Sequence, residues 1–258
     1  MIRTDRSELA ELWRRLGIVE GTTVLCHSFL GALGRVDGGA SAVAESLLEA
    51  VGEGGTLIAP AFTYSYFKQE IYDPATTPST VGILGDIIRR HARGYRNLDP
   101  NFSNAGISPM AEPLLALRGP ESFGSDSPYA RFIGADVQIL LLGVDYTALP
   151  LFMHLEAMSP VPYRHPKSFA GQSRLAGEVR ETVAIHHVRD ADRDPQSDRR
   201  RIGVFIDRES EVVFADLPYG RARAVPARTV ERVVTRELKR DPLILLDASN
   251  PFRGSART

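Results

Sequence analysis

Thr22-Thr-Val-Leu-Cys-His-Ser-Phe-Leu-Gly-Ala-Leu-Gly-Arg-Val-Asp-Gly-Gly39, followed by the amphipathic run 40–51 and by Gly54-Gly-Thr-Leu-Ile-Ala-Pro60, is the stretch whose reading decides the fold. Residues 22–26 are short and β-branched and predict a strand. His27 to Gly34 leads on from it, Arg35-Val-Asp-Gly-Gly39 opens a helix over 40–51, and 54–60 predicts the next strand. Strand, glycine-rich loop, helix and second strand make a βαβ unit.

The loop carries Gly31, Gly34, Gly38 and Gly39. Bare backbone N–H groups beside a helix N-terminus can hold an anion such as a phosphate. An ordinary glycine-rich turn would read the same way. No Gly-Lys-Ser/Thr follows, and the dinucleotide fingerprint Gly-x-Gly-x-x-Gly is not present.

Further along, 137–144 is apolar except for Gln138 and Gly143, and predicts a buried parallel strand. Leu149-Pro-Leu-Phe-Met-His-Leu-Glu-Ala-Met158 follows as a helical turn. His154 then sits near the carboxyl end of a sheet, where open α/β sheets bind ligands. It is the one side chain there whose ordinary pKa lies near neutrality. A satisfied, partly buried histidine is the competing reading.

The remaining pattern fills in around this core. Ser7 can cap a helix over 7–16, with Leu9, Leu12, Trp13 and Leu16 on one face and Gly17 as its stop. Residues 64–79 read as a long aromatic, proline-punctuated loop over the site. A helix is expected over 81–92, with Ile83, Leu84, Ile87 and Ile88 inward. Residues 97–108 read as loop with a short strand near the end, 123–128 as turns and 128–134 as a short helix. Pro160, Pro162 and Pro166 interrupt regular structure. Strands are expected over 182–188 and 203–206, a helix over 230–238 and a frayed tail from 250 on. The charge-dense run 189–201 between the two strands predicts a solvated, mobile hairpin loop.

Composition bounds the function classes. The chain has 258 residues, 43% of them hydrophobic, with a formal net charge of -1. A general nucleic-acid binder would show a basic excess, which is missing. Cys26 is the only cysteine, so no intrachain disulfide can form and a reducing compartment is expected. No apolar run approaches the roughly 20 residues of a membrane span, and the first residues lack a signal-peptide core. A cytoplasmic protein without membrane or nucleic-acid partners is the expectation.

Four chemistries compete. In the first, His154 is the general base of an acyl transfer and the glycine loop holds a phosphorylated acyl carrier. The second is a metal site from His186 and His187 with Asp190 and Asp192, although neighbouring strand residues point to opposite faces. A Cys26–His27 nucleophile pair is the third, with the same divergence against it. The fourth is a binding protein with no chemistry.

Residues 25–39 with Leu47-Leu-Glu-Ala-Val-Gly-Glu-Gly-Gly-Thr-Leu-Ile-Ala-Pro-Ala-Phe-Thr63 resemble the opening of the aminoglycoside 3-N-acetyltransferase family. In the family's order come Asp73-Pro-Ala-Thr-Thr-Pro-Ser79 with Val81-Gly82, then Phe123-Gly-Ser-Asp-Ser-Pro128, then Leu140-Leu-Leu-Gly-Val144. His154 and Val161-Pro-Tyr-Arg164, with Lys167 and Phe169, complete the set, which covers most of 9–169.

The resemblance implies an α/β fold: a single-domain αβα sandwich, not Gcn5-like, with a smaller β-rich C-terminal part. It would span 1–258 as a coenzyme A-binding core (1–158), the β-rich part (159–248) and a flexible tail. It implies an acyl-CoA-dependent N-acyltransferase, without metal, that moves an acetyl or related group to a small-molecule amine. A homodimer is compatible with it. His154 would be catalytic, and His27, Ser28, Leu33, Gly34, Ser79 and Ser103 would lie along coenzyme A.

Two departures from the family pattern stand out. The family's His-x-x-Glu reads His154-Leu155-Glu156 here, which puts Glu156 about 160° round the helix from His154. Its His-Pro-x-x-Ser reads Asp99-Pro-Asn-Phe-Ser103. Asp99 is therefore a second candidate, beside Glu156, for the acid that orients the imidazole. Glu70, Asp73, Asp99, Asp145 and Glu156 together predict an acidic mouth suited to a cationic amine.

Overall fold

Each residue of the β-branched run 23–28 that points one way along its strand meets a helix layer, and each that points the other way meets a second. In the computed structural model, which describes residues 2–189 and 197–247, the elements follow in this order. They are β1 (Arg3–Thr4), α1 (Arg6–Arg15), β2 (Thr23–Ser28), β3 (Arg35–Val36), α2 (Gly39–Val51), β4 (Thr56–Pro60) and α3 (Leu84–Arg90). Next come β5 (Gly94–Arg96), β6 (Asn104–Ile107), α4 (Ala111–Leu115), α5 (Pro128–Gly134), β7 (Gln138–Leu142) and α6 (Leu151–Ala157). The chain continues with β8 (Arg164–Leu175), β9 (Glu178–Arg189), α7 (Arg199–Ile206), β10 (Val213–Leu217), β11 (Gly220–Pro226) and α8 (Ala227–Arg240). The tail expected from 250 on lies outside the described residues.

Seven strands form the central sheet in the order β10-β11-β7-β2-β4-β6-β5. Its middle is parallel, with β2 between β4 and β7, and its flanks are antiparallel. Period-two alternation sorts the side chains. Val24, Cys26, Leu57, Ala59, Leu140 and Leu142 pack with Trp13 of α1, Leu47 of α2 and Ile88 of α3. Leu25, Ile58, Ile139 and Leu141 face the other way, towards Phe132 of α5, Phe152 of α6, Ile202 of α7 and Val233 of α8. The architecture is an αβα sandwich, and both faces of the parallel centre are covered, as such strands require.

Local chemistry sets the ends of the elements. Asp5, not Ser7, caps α1: its Oδ1 accepts from Glu8 N, and Glu8 Oε2 accepts from Asp5 N, a reciprocal capping box. Trp13 Nε1 donates to Ser46 Oγ at 2.6 Å and ties α1 to α2. Gly34 has φ 76°, and a Cβ there would stand 2.5 Å from the Ile2 carbonyl oxygen. That glycine lets β1 pair with β3.

Beyond residue 159 the chain departs from the sequence expectation in three places. Residues 203–206 are not a strand but the second turn of α7, whose buried side holds Arg199, Ile202, Gly203 and Ile206. Their spacing is helical, and Asp198 caps the first turn by accepting from Arg200 N. The run 189–201 is thus not wholly a solvated loop: Arg199 begins a helix and is buried, while 190–196 fall outside the described residues. Pro166 does not break the chain either. It lies in β8, which pairs with β9 over twelve register positions, and among the described residues no other segment pairs with β8 at Pro166, so its missing N–H costs no second ladder.

The β8–β9 hairpin turns through Ala176 and Gly177, both with positive φ (50° and 84°), the geometry a two-residue turn needs. It projects from the sandwich and is clasped from both sides. Tyr72 N donates to Gln172 O and Arg174 N to Tyr72 O on one side; Ser122 N donates to Ile185 O and Ile185 N to Pro120 O on the other. The C-terminal part thus gives two strands to the central sheet and adds this arm. Among the described residues no helix is long and apolar enough to cross a membrane.

Candidate functional site

The parallel strands β2 and β4 end side by side, and a cavity of about 300 Å³ opens at their carboxyl ends. His27 and Ser28 contribute from β2, Ala59 and Pro60 from β4, Met153 from α6 and Arg199 from α7. β2 is the strand from which the chain runs to opposite sides, to β4 through α2 and much later to β7. That is the topological position at which open α/β sheets bind ligands.

His154 lies on α6, one residue from Met153, and is 5% exposed. It does not itself line the cavity. Its Nδ1 is 2.9 Å from the carbonyl oxygen of Phe123 and 3.5 Å from Ser127 Oγ. A carbonyl can only accept, so Nδ1 carries the proton and Nε2 is left with the lone pair. Burial lowers the pKa of the ring, and the carbonyls of Phe123 and Gly124 offset part of that. The imidazole is neutral at physiological pH.

Neither carboxylate expected beside His154 bonds to it. Glu156, on the other side of α6, pairs with Arg164 Nη2 at 2.8 Å and accepts from Tyr163 Oη at 2.9 Å. The Val-Pro-Tyr-Arg element therefore closes on Glu156, and Arg164 Nη1 reaches on to His187 O across the hairpin root. Asp99 spends Oδ1 on its own loop, accepting from Asn101 N and Phe102 N. Its charge instead bears on His186 of β9.

His186 is a buried group that sequence reasoning placed only in a metal site. Its ring is boxed by Phe67, Phe102 and Phe169, and its Nε2 is 2.7 Å from Asn101 Nδ2. Asn101 Oδ1 accepts from Tyr66 N, which fixes the amide with its NH₂ towards the ring. Burial lowers the pKa of His186 against the opposing pull of Asp99. No group of three His, Cys, Asp or Glu side chains among the described residues could hold a metal ion, and Asp190 and Asp192 lie outside them.

Of the residues expected along coenzyme A, His27 and Ser28 line the cavity, and Ser79 Oγ donates to the carbonyl of Val81, which also lines it. Leu33 is packed in the core with α1 and α2, and Gly34 holds the β1–β3 crossing. Ser103 is fully buried, donating to Ala61 O and accepting from Arg96 Nε. Those three do not line the cavity. Burial, with the charge of Arg199 beside it, lowers the His27 pKa to about 3, so His27 is neutral too. Cys26, alternating with His27, is a buried thiol that burial pushes up to about 12 and is inert as a nucleophile.

The carboxylates expected to form an acidic mouth do not line the cavity, and three of them are paired with arginines. Asp145 pairs with Arg200, Asp73 with Arg174 and Glu156 with Arg164. Arg199 was hidden from sequence reading by the charged run around it, and the Phe123 carbonyl by being backbone. The Phe123-Gly-Ser-Asp-Ser-Pro128 motif was the only sign that this segment reaches the site.

Comparison with known proteins identifies the family. The family model for aminoglycoside 3-N-acetyltransferase matches residues 25–239. Aminoglycoside N(3)-acetyltransferase IV of Salmonella sp is 30% identical over 255 residues, covering 98% of this chain and 93% of that protein. A histidine-to-alanine variant of aminoglycoside acetyltransferase AAC(3)-IVa, in complex with a gentamicin, superposes with a TM-score of 0.83 at 26% identity. That match covers 98% of this chain and 95% of the other. The AAC-IIIb binary complex with CoASH has the same fold, with a TM-score of 0.83 at 18% identity over 97% of this chain and 100% of that one. The chain belongs to the aminoglycoside 3-N-acetyltransferase family, a family of acyltransferases.

Proposed function

We propose that the protein is an acyl-CoA-dependent N-acyltransferase that moves an acetyl or related short acyl group to an amine of an amino sugar, with Nε2 of His154 as general base. The hydrogen bond from His154 Nδ1 to the Phe123 carbonyl carries this reading. It commits one ring nitrogen to the protein and leaves the other as a neutral base beside the sheet's ligand-binding edge. Family membership, the gentamicin-bound relative and the CoASH-bound protein of the same fold support the acceptor and donor classes.

The cavity suits a thin, mostly apolar carrier with amide groups. His27 Nε2 is buried and has no hydrogen-bond partner among the described residues, so it is ready to meet a polar atom of a ligand. At Gly82, φ is +65° and a Cβ would meet only the Ser28 carbonyl oxygen, 4.0 Å away. His27, Ser28 and the backbone near Ser79 and Gly82 would hold the pantetheine arm. When bound, a thioester supplies the activated acyl group.

The chain's own residues do the proton chemistry. An amine that attacks an acyl carbon must lose a proton, and Nε2 of His154 receives it. The Phe123 carbonyl keeps the ring in one tautomer and strengthens its hold on Nδ1–H while the ring is positive. Because burial disfavours the charged ring, His154 gives the proton up again readily, to the thiolate that would leave as the acyl carbon–sulfur bond breaks. Glu156 and Asp99 act from farther out, the first by anchoring the hairpin root and the second through His186. A cytoplasmic protein acting as a single acyltransferase domain fits a reaction that draws on acyl-CoA.

The test is release of free thiol from acetyl-CoA on addition of an amine, across a panel of amino sugars including gentamicin, amino acids and amino nucleotides. Release that depends on an amino sugar is the expected result. No amine-dependent release across the panel would overturn the reading.

A further inference from the structure

The cavity wall holds a full positive charge that the acyl-transfer reading does not use. Arg199 is 6% exposed and lines the cavity among apolar neighbours such as Phe62, Val81 and Met153. Its Nη1 donates to the carbonyl oxygens of Thr147 and Leu149, at 3.3 and 3.0 Å, and its guanidinium carbon lies 5.4 Å from the Phe152 ring centre. Two carbonyl dipoles and a ring face orient the group without neutralising it.

Among the described residues the local charges do not balance. Glu156 is the carboxylate that supports Arg199, but its Oε2 is 2.8 Å from Arg164 and its Oε1 is taken by Tyr163. Two buried guanidinium groups thus share one carboxylate, and Arg164 Nε is itself buried without a partner among the described residues. A guanidinium cannot shed its proton to relieve burial. His27, which lines the same cavity, is neutral and adds a hydrogen-bonding atom but no charge. A cation held in a low-dielectric wall favours an anionic ligand group over a dipole.

Position says which part of a ligand meets it. Every protein contact of Arg199 named above is to the segment just before α6 or to α6 itself, the helix that carries His154. Phe152 is two residues from His154 on α6, so a donor whose reacting carbonyl meets His154 would bring the far end of its acyl group towards Arg199.

We propose that Arg199 recognises a carboxylate at the far end of the acyl group, so that the cavity takes a carboxyl-terminated acyl donor of the malonyl type in preference to a neutral one of the same shape. This rests on the acyl-CoA reading of the cavity. The test is calorimetric titration, with no amine present, of wild type, Arg199→Met and Arg199→Lys with coenzyme A, malonyl-CoA and isovaleryl-CoA. Isovaleryl is the neutral shape match of malonyl, and leaving out the acceptor removes any carboxylate of its own.

Wild type is expected to bind malonyl-CoA at least about tenfold more tightly than isovaleryl-CoA. Arg199→Met should lose that preference while keeping its affinity for free coenzyme A, and Arg199→Lys should keep part of it. Equal binding of the two thioesters by wild type overturns the proposal, as does a preference that survives in a cooperatively melting Arg199→Met. If that variant does not fold, the wild-type pair and Arg199→Lys decide. Failure to bind free coenzyme A would sink the acyl-CoA reading, and this inference with it, whereas coenzyme A binding without malonyl preference sinks this inference alone.

Discussion

Nδ1 of His154 stands 2.9 Å from the carbonyl oxygen of Phe123, so a backbone group and not a carboxylate fixes the tautomer of the ring. A carbonyl orients an imidazole but offers the protonated ring less stabilisation than a carboxylate would. Burial therefore dominates, and the pKa falls below its ordinary 6.5. The acid limb of the kcat/KM profile of the free enzyme should accordingly lie below pH 6.5. A limb at or above that value would mean that a carboxylate reaches the ring after all.

Stability should depend on pH through the buried histidines, and His27 gives the clearest sign. Its pKa is about 3 in the folded protein and about 6.5 unfolded. Above pH 6.5 both states hold it neutral and its stability contribution is complete. Between 6.5 and 3 the unfolded chain binds a proton that the folded chain does not, so stability is lost as pH falls. At pH 5 the loss from His27 is about 2 kcal/mol. Urea unfolding of wild type and His27→Gln at about pH 7.5 and about pH 5 measures it, and the variant should be less acid-sensitive by about that amount. Equal sensitivity would place the acid response elsewhere.

Glu156→Gln should act on stability more than on proton transfer. Removing the carboxylate leaves the buried Arg164 guanidinium uncompensated beside Arg199, a loss of about 3 kcal/mol. For a chain of this size that lowers Tm by roughly 5–10 °C. The acid limb of the pH–rate profile should not move, because Glu156 does not contact His154. A shifted limb with unchanged Tm would reverse that assignment.

The hairpin should loosen when its clasp is cut. Tyr66 packs flat against Gly171, where a Cβ would come within 2.7 Å of its ring. Its hydroxyl bonds to Ser173 Oγ at 2.7 Å and to Thr182 Oγ1. Tyr66→Phe should cost about 1–2 kcal/mol and speed proteolytic cleavage within the hairpin. Unchanged cleavage would show that the Tyr72 and Ile185 backbone pairings alone hold the arm.

The αβα core was legible in the sequence because β2, β4 and β7 are short apolar runs and α2 carries a helical period between two of them. What was not legible depends on tertiary contact. Ile202-Gly-Val-Phe-Ile206 satisfies a strand as well as a helix until Arg199 is known to be buried on the same side as Ile202 and Ile206. Pro162 and Pro166 looked like breakers, and Pro166 is tolerated because no second segment pairs with β8 at that position among the described residues. At the site, His154 was visible as a type in a pattern, and His27 and Ser28 only through the family resemblance. Asp99 and Glu156 were assigned by analogy of position, and their partners, His186 and Arg164, come from a strand pair folded back over them. Helical spacing did show that Glu156 would face away from His154.

The central claim is that His154 is the base, and its most direct test compares wild type with His154→Ala. Amine-dependent thiol release from acetyl-CoA is followed for both, with coenzyme A affinity measured by calorimetry and folding by a cooperative melt. Loss of about 100-fold or more in kcat is predicted, the size expected of a general base, with coenzyme A affinity nearly unchanged because His154 does not line the cavity. A folded His154→Ala protein that transfers the acyl group at the wild-type rate would contradict the account and leave the histidine a structural one.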